Sequence, residues 1–178
     1  MRKWRKTAAI PAGIVLFFIL GRMAIPGPVP GTELSMQFGV LAVLSAWLGS
    51  AAGGLIGLFG QLLLDLSTGG IIWSRTLPSA LYGVLAGQLA GGLRMENGEL
   101  SGKDVLVFIG FQLAAHAAAW FLAAPCLSIL IDATPVSEAF RQGLFTGITH
   151  MITTVIIGTV LCLAVTTIWP GGSRMKRD

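Results

Sequence analysis

Residues 34–66 read LSMQFGVLAVLSAWLGSAAGGLIGLFGQLLLDL, and how often this stretch crosses a bilayer decides the fold. It is an almost uninterrupted apolar run of 33 residues. As one helix it would measure roughly 50 Å at 1.5 Å per residue, against a hydrocarbon core of about 30 Å. Tilt alone does not absorb that excess. Gly49-Ser50-Ala51-Ala52-Gly53-Gly54 supplies a place to turn. The stretch is therefore expected to form a tight hairpin of two short helices, 34–48 and 50–66.

Outward from this hairpin, further apolar blocks cover 8–25, 76–93, 104–124 and 143–168. Of the 178 residues 54% are hydrophobic and 11% charged, the latter against roughly 25% in an average soluble domain. Mean hydropathy is +0.79. These values exclude disorder, a nucleic-acid module and an ordinary cytosolic enzyme. The net charge of +4 does not make a nucleic-acid footprint, because the basic residues gather at the two ends rather than over one face. The N-terminal MRKWRK followed by Ala8–Leu20 has the polarity of a signal peptide, but Arg22 and Pro26 stand where a small-residue cleavage site belongs, so a retained helix is expected. Cys126 and Cys162 lie in separate apolar stretches without CxxC spacing and are expected to be small apolar residues.

Charge asymmetry gives an independent count of the spans. With six spans and a cytoplasmic N-terminus, Arg2, Lys3, Arg5, Lys6, Arg94, Lys103, Arg174, Lys176 and Arg177 fall inside, and Arg22, Arg75 and Arg141 outside. That is nine against three. Five spans give six against six. The expected architecture is all-α: one membrane domain over 1–178, a bundle of six transmembrane helices with both termini cytoplasmic. The outside segments are then Pro26–Glu33, stiffened by three prolines; Ser67–Arg75, with a glycine pair beside Trp73; and Pro125–Gln142.

Small residues recur at four-residue spacing, as Ser79, Gly83, Gly87 and Gly91 in the fourth block and Gly53 and Gly57 in the third. Such ridges let helix backbones approach closely, and packing within the bundle accounts for them. Ala8-x-x-x-Ala12 beside Gly13 is a similar strip, suited to internal packing or to docking another membrane subunit.

Polar side chains in lipid are costly unless they face a cavity or a partner. Gln112, His116 and Trp120 share one face of the fifth block, and Thr146, His150 and Thr153 one face of the sixth. His116 stands roughly 20 Å above the inner end and His150 about 12 Å below the outer surface, by helical rise. The two imidazoles thus fall in one layer. Gln61 and Asp65 on the third helix, Trp73 and Arg75 before the fourth, and Tyr82 within it converge toward the same outer half. The set fits a polar, aromatic-lined pocket for a small organic solute. Arg75 allows a carboxylate or phosphate, while Trp73, Trp120 and Tyr82 allow a flat ring.

No HxxxH or HExxH spacing supports a metal site, and no cofactor is implied. There is no GxxxxGK[ST] phosphate loop, so ATP is not bound through that motif. No GxSxG elbow is present, and Asp65 is the only carboxylate available for a proton relay. A small membrane enzyme using His116 and His150 on a lipid-like substrate, and a structural membrane subunit, remain as alternatives.

The loop IPGPVPG followed by TELSMQFGVLAVLSAWLGSAAGGLIGLFGQLLLD resembles the substrate-binding S components of energy-coupling factor (ECF) transporters, in their riboflavin-transporter-like group. In related sequences a His often stands where this chain has Gln61. The resemblance implies capture of a vitamin or related micronutrient from outside. It implies energy from a separate transmembrane coupling protein with two ATPase subunits. It places Ala8 and Ala12 on the docking strip for that coupling protein, and a ligand on Trp73, Arg75, Tyr82, Gln112, His116, Trp120 and His150, with Ser67–Arg75 as the gate.

Overall fold

The computed structural model describes residues 3–27, 29–30, 32–88 and 101–168. Among these, six helices account for most of the chain. They are α1 (Lys3–Arg22), α2 (Gln37–Leu48), α3 (Ser50–Thr68), α4 (Trp73–Gln88), α5 (Gly102–Ile131) and α6 (Val136–Ile168). The all-α class follows. Three of them, Ser50–Thr68, Gly102–Ile131 and Val136–Ala164, have the length and apolarity to cross a membrane. Arg94, Gly91 and the basic C-terminal cluster lie outside the described residues.

The deciding stretch breaks at Gly49, with φ at +100°. With ψ at 172° this is a region essentially confined to glycine, where an L side chain would cost about 1–3 kcal/mol. The Gly49 N–H still donates to the Ser45 carbonyl at 2.8 Å and its carbonyl accepts from Gly53. One residue therefore ends α2 and starts α3 with few backbone groups left open.

Two boundaries differ from expectation. The fourth helix begins at Trp73 rather than at 76, and α3 continues to Thr68, so the 67–75 loop shrinks to the four residues 69–72. Gly69 and Gly70 take φ of +127° and +150°, which makes so short a turn accessible. The 125–142 loop is almost wholly helical, and only 132–135 are not. Proline at 125 lacks an N–H and crowds the carbonyl four residues back, which disfavours a continuing helix. Here the seven residues Ala117–Ala123 before it are π-helical, and the wider turn carries the helix past the proline. The polar residues Glu138, Arg141 and Gln142, which read as loop, sit on the first turns of α6. The segment Pro26–Glu33 also has more order than a stiff loop: Ile25–Pro26 pairs antiparallel with Glu33–Leu34, and Gly27 N–H donates to the Thr32 carbonyl at 2.8 Å.

The small-residue ridges hold α3 against α4. A Cβ on Gly57 would meet the Ser79 carbonyl carbon at 2.9 Å and Ala80 Cα at 3.3 Å. One on Gly83 would meet the Gly53 carbonyl carbon at 2.5 Å and Gly54 N at 3.0 Å. Backbone touches backbone, so no side chain can move aside. Phe17, Phe38, Leu41, Ile56, Tyr82, Phe108 and Trp120 fill the core between α1, α2, α3, α4 and α5.

Candidate functional site

The turns 69–72 and 132–135, the short β-hairpin and the N-terminus of α2 all border one cavity of about 250 Å³ at one end of the bundle. Its floor is aromatic. Phe38 (α2), Trp120 (α5) and His150 (α6) form a cluster: Phe38 and His150 centroids are 4.1 Å apart and tilted by 35°, and Trp120 stands edge-on to both, at 5.4 and 4.8 Å. Edge-to-face and offset geometries of this kind are the favourable ones for π systems. Trp120 Nε1 and His150 Nδ1 are buried and have no hydrogen-bond partner in the protein. A buried N–H without a partner costs about 1–3 kcal/mol, a cost that a bound acceptor would remove.

The walls are polar. Glu33, Gln37, Gln61, Ser74 and Arg75 contribute from the hairpin, α2, α3 and α4, and Ser128, Asp132, Thr134, Gln142 and Thr146 from α5, the α5–α6 turn and α6. Ser74 donates a short hydrogen bond to Asp132, joining the start of α4 to the α5–α6 turn. Within that turn Ala133 adopts φ of +52°. The left-handed conformation is held by Thr134 N–H donating to the Ser128 carbonyl at 3.1 Å and by a 3.1 Å hydroxyl pair between Ser128 and Thr134. A strained residue kept in place between two cavity-lining side chains marks a turn whose shape is specified.

Arg75 is a quarter exposed and its guanidinium is already engaged. Its Nε and Nη2 donate to Asp65 Oδ1 at 3.1 and 2.6 Å, and Nη1 lies 3.4 Å from Glu33 Oε1. Asp65 is fully buried. It also accepts from Gln61 Nε2 at 2.8 Å, Thr76 Oγ1 at 2.7 Å and Ile72 N–H at 3.1 Å. Five donors thus satisfy one carboxylate, and this cluster orients Arg75 and pins the 69–72 turn.

The nine residues singled out in the sequence divide into three groups. Gln61, Arg75, Trp120 and His150 line the cavity. Asp65, Tyr82, Gln112 and His116 are buried behind it. Tyr82 stacks on His116 at 4.0 Å and donates to Gln112 Oε1 at 2.6 Å, and His116 Nε2 shares a 2.8 Å bond with Thr154 Oγ1. The histidine rings are 6.0 Å apart, in one layer, with Phe38 in edge contact with His116 at 5.9 Å. Trp73 is 43% exposed and outside the lining. Ala8 and Ala12 are exposed on α1, in line with Val15, Leu16 and Ile19, while Gly13 faces Ile56 and Leu44.

Sequence reasoning missed Phe38, Gln37, Glu33, Ser74 and Asp132. Gln37 and Phe38 carried a signal, a polar residue beside an aromatic at the mouth of the apolar hairpin. Asp132 carried none, because its loop was drawn too long.

A sequence profile for the S component of ECF-type riboflavin transporters matches residues 1–167. The chain belongs to this S-component family. Its relatives include UPF0397 proteins of Streptococcus pneumoniae strains CGSP14 and Hungary19A-6. Each is 33% identical over 175 residues, which is 98% of this chain and 96% of the relative. As a family member the chain is a substrate-binding subunit of a vitamin-type transporter, a membrane protein and a transport component rather than an enzyme.

Proposed function

We propose that this protein captures a vitamin-like micronutrient from outside the cell and delivers it through an ATP-driven module. That module comprises a transmembrane coupling protein and two ATPase subunits. The observation that carries the proposal is the cavity, with its three-ring floor and hydrogen-bonding walls contributed by α2 to α6 and the hairpin. Such a site encloses a small organic solute by stacking and excludes water around it. All three segments expected outside, the hairpin and the turns 69–72 and 132–135, border this one end, in keeping with six spans and cytoplasmic termini. The glycine-hinged turn 69–72 is the gate, and the Ser74–Asp132 bond is the contact that closes it. The exposed Ala8–Ala12 strip, small and apolar, is the docking face for the coupling protein, because small residues let helices approach closely in lipid.

The test is ligand binding by the purified protein in detergent, without ATPases, in a thermal-shift screen of vitamins and their precursors. At least one ligand should raise the melting temperature. Trp120→Ala should weaken its binding by about tenfold or more, since stacking on an aromatic is worth about 1–3 kcal/mol per ring. If no vitamin binds and the variant behaves as the wild type toward all of them, the proposal fails.

A further inference from the structure

We infer that the cavity selects a flat heteroaromatic ligand carrying a positive charge or a protonated amine. This inference rests on the proposed binding role and names the ligand class. A free guanidinium in the cavity would call for a carboxylate or phosphate, and the structure weakens that option by engaging three of the five guanidinium N–H groups of Arg75. Arg75 is the only cation among the described residues that line the cavity. Asp65 takes two of its N–H groups on one oxygen from behind the wall, and Glu33 sits beside a third. The Arg75–Asp65 pair is therefore neutral in sum. What remains on the walls is the carboxylates of Glu33 and Asp132, so the lining set with Asp65 carries a formal charge of 1 − 3 = −2.

The two carboxylates come from separate elements, Glu33 from the hairpin and Asp132 from the α5–α6 turn. Asp132 accepts one hydrogen bond, from Ser74, and Glu33 has only the 3.4 Å contact to Arg75. Both keep free lone pairs for donors on a ligand. Beneath them lie Phe38, Trp120 and His150. Indole and phenyl faces attract cations through the ring quadrupole, the more so where water is excluded. An anion would meet two carboxylates and a guanidinium with three of its five N–H groups already engaged. A neutral ring would stack on the floor but leave the carboxylates unused. Trp120 Nε1 and His150 Nδ1, unpartnered on side chains more than nine-tenths buried, add two ring nitrogens that a ligand heteroatom could satisfy.

The experiment measures affinities of the purified protein in detergent for two series. The first is thiamine (a cation), riboflavin (neutral) and riboflavin 5′-phosphate (an anion). The second keeps one ring and changes only charge: 1-methylnicotinamide, nicotinamide and nicotinate. The cation should bind best within each series. Glu33→Gln and Asp132→Asn should each lower cation affinity about tenfold, the size of one charged hydrogen bond. Whatever either variant does to the neutral probes through the shared cavity, it should cost the cation at least about threefold more, the scale of an exposed pair. A neutral or anionic probe that binds best, with Trp120→Ala still abolishing it, overturns the charge preference and leaves the binding role standing. Cation binding that ignores both carboxylate variants overturns it as well. No binding by any probe in either series overturns the inference together with the role it rests on.

Discussion

Neutralising Asp65 tests the most tightly constrained part of the site. Asp65→Asn keeps the shape of the side chain but leaves the Arg75 guanidinium without its partner. Removing one member of a buried ion pair costs about 3–5 kcal/mol, most of it from the charge left behind. Arg75 is a quarter exposed and has Glu33 at 3.4 Å, so it can recover part of that from water and from the second carboxylate. The expected loss is about 3 kcal/mol, at the lower end of that range. Arg75→Met strands the opposite charge. Asp65 is fully buried, and it would keep only Gln61, Thr76 and the Ile72 N–H. It too should cost about 3–5 kcal/mol. The double variant strands neither charge, so it should be more stable than the sum of the singles by at least about 1.5 kcal/mol, within the range seen for contacting pairs. Unfolding in mixed micelles of increasing SDS fraction, followed by circular dichroism, gives all three values. Additive losses, or single variants each within about 0.5 kcal/mol of wild type as at ordinary surface sites, would refute the description of Asp65 as the anchor of Arg75.

Other predictions concern packing and docking. Gly57→Ala should lower stability by about 1–3 kcal/mol through overpacking against the Ser79 and Ala80 backbone. Gly110→Ala, whose added methyl meets nothing within 4 Å, should leave the same unfolding curve unchanged or slightly raised, and equal effects would contradict the α3–α4 contact. Leucine at Ala8 or Ala12 should leave ligand affinity within about twofold, because both side chains are exposed on α1 away from the cavity. The same variants should stop uptake in cells that carry the coupling module. Loss of binding in the purified Ala12→Leu protein would move that strip from docking to folding.

Much of this architecture is visible in one dimension because bilayer physics acts on length and hydropathy. Gly49 could be picked out as the break, since a run of 33 apolar residues must turn somewhere and only that neighbourhood tolerated it. The common level of His116 and His150 followed from helical rise measured from Lys103 and from Gln142. The extent of α5 and α6 did not follow from the sequence. Pro125 and the polar start of α6 carry local signals for a loop, and the π-helical segment before Pro125 that overrides them depends on packing: Gly143 of α6 lies where an added methyl would meet Pro125 and the Trp120 carbonyl.

The cavity shows the same division. Residue types at helical spacing marked Gln61, Trp120 and His150, because polar and aromatic groups in apolar helices need a reason to be there, and Arg75 was picked out in the loop before the fourth block. Which of them meet open space, and which satisfy one another behind the wall, depends on distances across the bundle. Asp65 and Arg75 are ten residues apart, and nothing in that spacing reveals that five donors converge on one carboxylate. Composition and hydropathy alone thus determined a helical membrane protein with its turns near the right places. Three-dimensional packing decided which charges on the cavity lining neutralise one another, because neutralisation is a matter of contact and contact is set between helices rather than along them.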